Sequence, residues 1–163
     1  MKAFTLVHVV ISLIGILSGF AVLFGMLAGK RFNGWTALFL TTTVLTSVTG
    51  FFFPFHGLTS GLVVGAISLV LLAVAIFARY RLHLAGAWRK TYVVSAVLAL
   101  YLNVFVLIMQ SFLQIPALKE IAPTQNDPPF KPTQLVVLIA FVVLGVLAAI
   151  KFRDEPARAT CSV

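Results

Sequence analysis

The sequence predicts an all-α membrane protein, a polytopic bundle of five transmembrane helices, and three observations carry that expectation. The chain is 61% hydrophobic and only 10% charged over 163 residues, with mean hydropathy +1.09. No soluble core of this size hides so much apolar surface. The apolar residues fall into five runs, 4–28, 36–53, 61–78, 91–113 and 134–150, each near the ~20 residues that cross ~30 Å of hydrocarbon. Nearly every charge sits in the gaps between those runs. Residues 1–152 therefore read as one bundle and 153–163 as a short tail.

In the first run His8, Ser12, Gly15 and Gly19 share one stripe, within about 40° at ~100° per residue. Gly15 with Gly19, and Gly25 with Gly29, have the GxxxG spacing that lets helix backbones approach in lipid. The run exceeds the ~7–15 apolar residues of a signal-peptide core, and no A-x-A site follows, so it reads as a span. The second run is threonine-rich, with Thr42, Thr46 and Thr49 on one face and Thr36, Thr43, Ser47 and Gly50 on the next. Such hydroxyls bond the carbonyl three or four residues back. Pro54, Phe55, His56 and Gly57 then form a turn before the third run, whose Gly57, Gly61, Gly65 and Ser68 make a second small-residue stripe. Both runs are short, and a re-entrant pair over 36–53 and 61–78 is the alternative that leaves four spans. The fourth run places Asn103, Gln110 and Gln114 along one face, which the cost of amides against lipid should turn inward. Five of the seven prolines lie in 115–133, a stiff loop able to fold over its end of the bundle as a lid.

Lys and Arg set the orientation, because cytoplasmic loops carry their excess. With the N-terminus outside, the cytoplasmic set is Lys30, Arg31, Arg79, Arg81, Arg89, Lys90, Lys151, Arg153 and Arg158, against Lys2, Lys119 and Lys131 outside. The expectation is a multi-pass protein of a bacterial inner membrane with its C-terminus in the cytoplasm. The net charge of +8 then belongs to juxtamembrane loops, where each cation near anionic headgroups gains ~1 kcal/mol. Arg79, Arg81, Arg89 and Lys90, interleaved with Tyr80, Trp88 and Tyr92, are the expected contacts for anionic lipids. Nucleic acid is excluded as a partner; a homo-oligomer or a membrane complex is not.

The chemistry is sparse. The single cysteine, Cys161, rules out an internal disulfide and a cysteine-based metal site. No Asp or Glu falls within a run, which argues against a proton-coupled relay. No catalytic constellation is visible, and no cofactor is expected. An ionisable residue on an inward face is a site candidate by default, so His8 leads, with a neutral imidazole bonded to a neighbouring Thr, Asn or Gln as the plainer reading. Five spans from an outside N-terminus bring His8, Thr46, Thr49, Asn103, Gln110 and Gln114 into the outer half, with His56 in the outer turn. A bis-histidine haem needs two histidines facing one cavity; His83 falls at the opposite side, leaving His8 with His56.

Thr49-Gly50-Phe51-Phe52-Phe53-Pro54, Gly86-Ala87-Trp88-Arg89, Tyr101 to Val106, Ala122-Pro123-Thr124-Gln125 and Pro128-Pro129-Phe130 resemble small uncharacterised bacterial multi-span membrane proteins. That resemblance covers most of the chain and implies no activity. A looser similarity to haem and quinone proteins of the cytochrome b561 type fails on the histidines, because paired histidines in facing spans are missing. Similarity to four-span proteins of the DoxX type extends to size and hydropathy alone. The expected function is a non-enzymatic membrane component or accessory subunit. The alternatives are a small redox or ligand-binding protein with an outer-face site at His8 and His56, and an oligomeric permeation pathway lined by Thr, Asn and Gln.

Overall fold

The computed structural model describes residues 2–53, 60–124 and 127–152. It is all-helical, with no strand among the described residues. The order is α1 (Lys2–Leu27), α2 (Asn33–Gly50), α3 (Ser60–Ile76) continued by a π-turn (Phe77–Arg81), α4 (Ala87–Gln114), α5 (Pro116–Ile121) and α6 (Phe130–Lys151). Four helices are long and apolar enough to cross a membrane: α1, α3 with its π-turn, α4 and α6. The 18-residue α2, opening on Asn33 and rich in threonine, falls outside that set.

Local sequence explains the helix ends. At the end of α1, Gly29 adopts φ +67°. Its N–H donates to the Met26 carbonyl at 3.0 Å, and the Lys30 N–H donates to the Gly25 carbonyl at 2.8 Å. This is the Schellman pattern, which satisfies carbonyls that the helix leaves unbonded and favours glycine because it has no Cβ. Gly25 and Gly29 are therefore spaced for a helix terminus, and only Gly15 and Gly19 act as a packing pair. α3 ends differently: the Leu82 N–H reaches five residues back to the Phe77 carbonyl at 3.2 Å, and His83 and Leu84 take φ of 49° and 60°. Pro116 occupies the first turn of α5 and Pro132 the first turn of α6, where a missing N–H costs no helical bond. The expected proline-stiffened loop is thus part helix. α5 packs on α4 and buries none of its own residues.

The long helices form a ring in which each neighbours the next, with α6 closing on α1 and α1 also touching α4 across the middle. α4 is the most enclosed span and α6 the least. Small residues let the backbones approach: Ala75 at the end of α3, Ala78 in the π-turn, Ala96 and Ala99 of α4 and Ala148 of α6 are all buried. Around them pack Leu23, Phe39, Leu72, Val93 and Leu100. Gly15 faces the Thr42 and Thr43 hydroxyls of α2, and Gly19 faces Phe39 of α2 and Leu100 of α4. Gly65 of the third run meets the Phe51 ring; Gly57 lies outside the described residues. Outward faces remain apolar, as on α6, where Val136, Ile139, Val143, Val146 and Ile150 are exposed, the pattern of a helix solvated by lipid.

Candidate functional site

One end of the bundle gathers the start of α1 and the end of α2. There the half-buried His8 of α1 places Nδ1 2.8 Å from Thr49 Oγ1 of α2. The imidazole also stands edge-on to Phe53, with centroids 5.1 Å apart, and Phe53 packs on Phe4 at 5.1 Å. The Thr49 hydroxyl lies 2.7 Å from the Leu45 carbonyl. It has one proton, and a carbonyl can only accept. With that proton on Leu45, His8 donates from Nδ1–H to Thr49, and Nε2 keeps the ring's lone pair. The histidine is thus oriented through one nitrogen while the other remains able to accept a proton or bind a ligand.

The other expected site residues divide. Asn103 of α4 is half-buried and donates from Nδ2 to Thr43 Oγ1 of α2 at 3.4 Å, a long bond. Thr46 is half-buried, and its Oγ1 is enclosed without a hydrogen-bond partner. Gln110 and Gln114 are exposed and do not line the interior as their spacing with Asn103 suggested. They lie in the last two turns of α4. His56 lies outside the described residues. Among the described residues no group of three His, Cys, Asp or Glu is placed to hold a metal ion.

One buried amide escaped the sequence reading. Gln134 of α6 is 8% exposed and donates from Nε2 to the Phe105 carbonyl of α4 at 3.1 Å, while its Oε1 is enclosed and unpartnered. Its signal was available: it is an amide at the edge of an otherwise apolar run, where a polar side chain marks an inward face. The threonine expectation fits better. Thr42 donates to the Leu38 carbonyl at 2.7 Å, Thr49 approaches the Leu45 carbonyl as described, and Ser18 does the same to Ile14 at 2.7 Å.

At the opposite end the α1–α2 turn, the π-turn, the start of α4 and the end of α6 converge. Lys30, Arg31, Phe32, Thr36, Arg79, Tyr92 and Phe152 line one cleft there. Arg79 donates to Asn33 Oδ1, and its guanidinium carbon lies 5.4 Å above the Tyr92 ring and 5.9 Å from that of Tyr80. Of the residues expected to meet anionic lipid, Arg79 and Arg89 are half-buried, and Arg81 and Lys90 are exposed.

The fold and both ends define a membrane-type helical bundle. No family model matches the chain, and no curated protein or solved structure matches it either.

Proposed function

We propose that the chain is a five-span bacterial inner-membrane protein, N-terminus outside and basic end in the cytoplasm, serving as a non-enzymatic component or accessory subunit of the membrane. One observation carries the structural role: two of the polar side chains singled out for the outer half, His8 and Asn103, are bonded to a neighbouring helix. His8 to Thr49 and Asn103 to Thr43 tie α1 and α4 to α2. Spent in this way, polar groups fix helix register more than they recognise a ligand.

The fifth span is α2. It lies antiparallel along α1, with Phe53 beside Phe4 and Thr36 sharing a cleft with Val22 and Met26 at the far end. Its 18 residues reach ~27 Å at ~1.5 Å per residue. A helix that accompanies a span over that length shares its depth.

A second reading, a redox or ligand-binding site at His8 with His56, is favoured by the lone pair that Thr49 leaves on His8 Nε2. Absorbance of the protein purified in mild detergent after haem-replete expression separates the two. Colourless protein, from the wild type and His8→Ala alike, is the result expected of the structural component. A Soret band lost in His8→Ala would establish the redox reading instead.

A further inference from the structure

Tyr92 is fully buried, with its hydroxyl beside Thr36 and Arg79 and in full hydrogen-bonding geometry with no group among the described residues. Buried hydroxyls rarely go unsatisfied, and this one lines a cleft that also receives Lys30 and Arg79. Arg79 is packed against two tyrosine rings and bonded to the neutral Asn33 amide, so its charge is stacked without being neutralised by these contacts. The described acidic residues are Glu120, in α5, and Asp127, between α5 and α6, at the other end of the bundle.

The backbone that presents Arg79 is also unusual. It sits in the middle of the five-residue π-turn, a rare element found frequently at functional sites. The turn runs into two consecutive non-glycine residues in the left-handed region, His83 and Leu84. Trp35, Phe77, Tyr80 and Trp88 are exposed at the same end, a distribution that sets the cleft at headgroup depth.

We propose that this cleft is a phosphate-binding site that takes the headgroup of an anionic phospholipid from the leaflet at the basic end. The Arg79 guanidinium supplies a planar fork for two phosphate oxygens. Lys30 adds a second cation at the mouth, and the cleft, which is packed too closely in this structure to admit a water molecule, opens on binding so that the Tyr92 hydroxyl donates to the oxygen that enters deepest. The site is distinct from general attraction to a charged surface, to which Arg81 and Lys90 contribute equally. It rests on the assignment of these helices as spans and is independent of which side faces the cytoplasm.

The test is thermal unfolding of the full chain in mild detergent with added phosphatidylglycerol, phosphatidylcholine or inorganic phosphate. Phosphatidylglycerol should raise the melting temperature saturably, and phosphatidylcholine should not. Arg79→Gln and Arg79→Lys should abolish the shift, while Arg81→Gln and Lys90→Gln retain it. Tyr92→Phe decides the matter even if Arg79 variants fail to fold. It removes an unpartnered hydroxyl, so the lipid-free protein should be as stable or more so, while lipid affinity falls about tenfold, as for loss of one charge-assisted bond. A saturable shift with inorganic phosphate alone, lost in the same variants, would keep the phosphate site and assign it to a soluble source. Equal losses for Arg79→Gln and Arg81→Gln, equal shifts with both lipids, or unchanged affinity in Tyr92→Phe would overturn the site. Topology reporters test the spans separately, so the two failures are distinguishable.

Discussion

Replacing Gly19 with alanine tests whether close backbone approach, and not apolar surface alone, holds the helices together. A Cβ at Gly19 would stand 2.5 Å from Leu100 Cδ1 and 2.9 Å from two carbons of the Phe39 ring. Carbon contacts settle near ~3.5–4.0 Å, so Leu100 must retreat by about 1 Å and the ring by roughly half that. Both are 1% exposed, which leaves neither an empty direction to move in. Overpacking of this kind costs ~1–3 kcal/mol. The usual alanine advantage of ~1 kcal/mol in a helix should offset little of it, because backbone in lipid stays helical even when helices separate. Unfolding from mild detergent into a denaturing detergent, followed through the fluorescence of Trp35 and Trp88, should show Gly19→Ala less stable by about 1–3 kcal/mol. Gly25→Ala is the informative control. Its Cβ would come within 2.7 Å of the Phe32 ring, but Phe32 is 40% exposed and can swing outward, so the loss should stay under about 1 kcal/mol. Gly34, with nothing within 4 Å, gives the baseline. Gly19→Ala matching Gly34→Ala, or Gly25→Ala losing more than Gly19→Ala, would refute the packing argument.

Other consequences are as direct. His8→Ala and Thr49→Val should each lose ~0.5–1.5 kcal/mol, and the double variant should lose less than the sum, since they share one 2.8 Å bond; additive losses in the same unfolding assay would mean that the bond contributes nothing. Gly29→Ala should cost ~1–2 kcal/mol from its φ of +67°, with Gly29→Asn milder, and equal stability of all three would contradict the left-handed cap. A reporter active only in the cytoplasm should work when fused after Val163 and fail within 115–133; the same compartment at both positions would break the five-span arrangement.

The outer-end site was partly legible. His8 could be chosen because an imidazole at helical spacing with Ser12, Gly15 and Gly19 marks an inward face, and Thr49 because threonines recur on one side of the second run. Their pairing was not legible, since it depends on the register of α1 against α2. Gln110 and Gln114 failed for a related reason. Helical spacing identifies a common face but not how far neighbouring helices extend beside it. Gly29 shows a third limit: GxxxG spacing is shared by a packing stripe and a capped helix end, and only the backbone angle separates them.

By itself, then, the sequence determined the solvent of this protein. Apolar runs of bilayer length and charges confined between them leave no other medium, because burial of that much hydrocarbon and exclusion of charge follow from composition and spacing alone. Tertiary structure decided which polar atoms meet and which do not. It tied His8 to Thr49, left the Gln134 carbonyl and the Tyr92 hydroxyl unpartnered, and brought Lys30, Arg79 and Phe152 to one cleft from four separate segments of chain together with Tyr92. Those outcomes turn on helix register and rotation, where shifts of an ångström or two make or break a hydrogen bond and leave the hydropathy pattern unchanged.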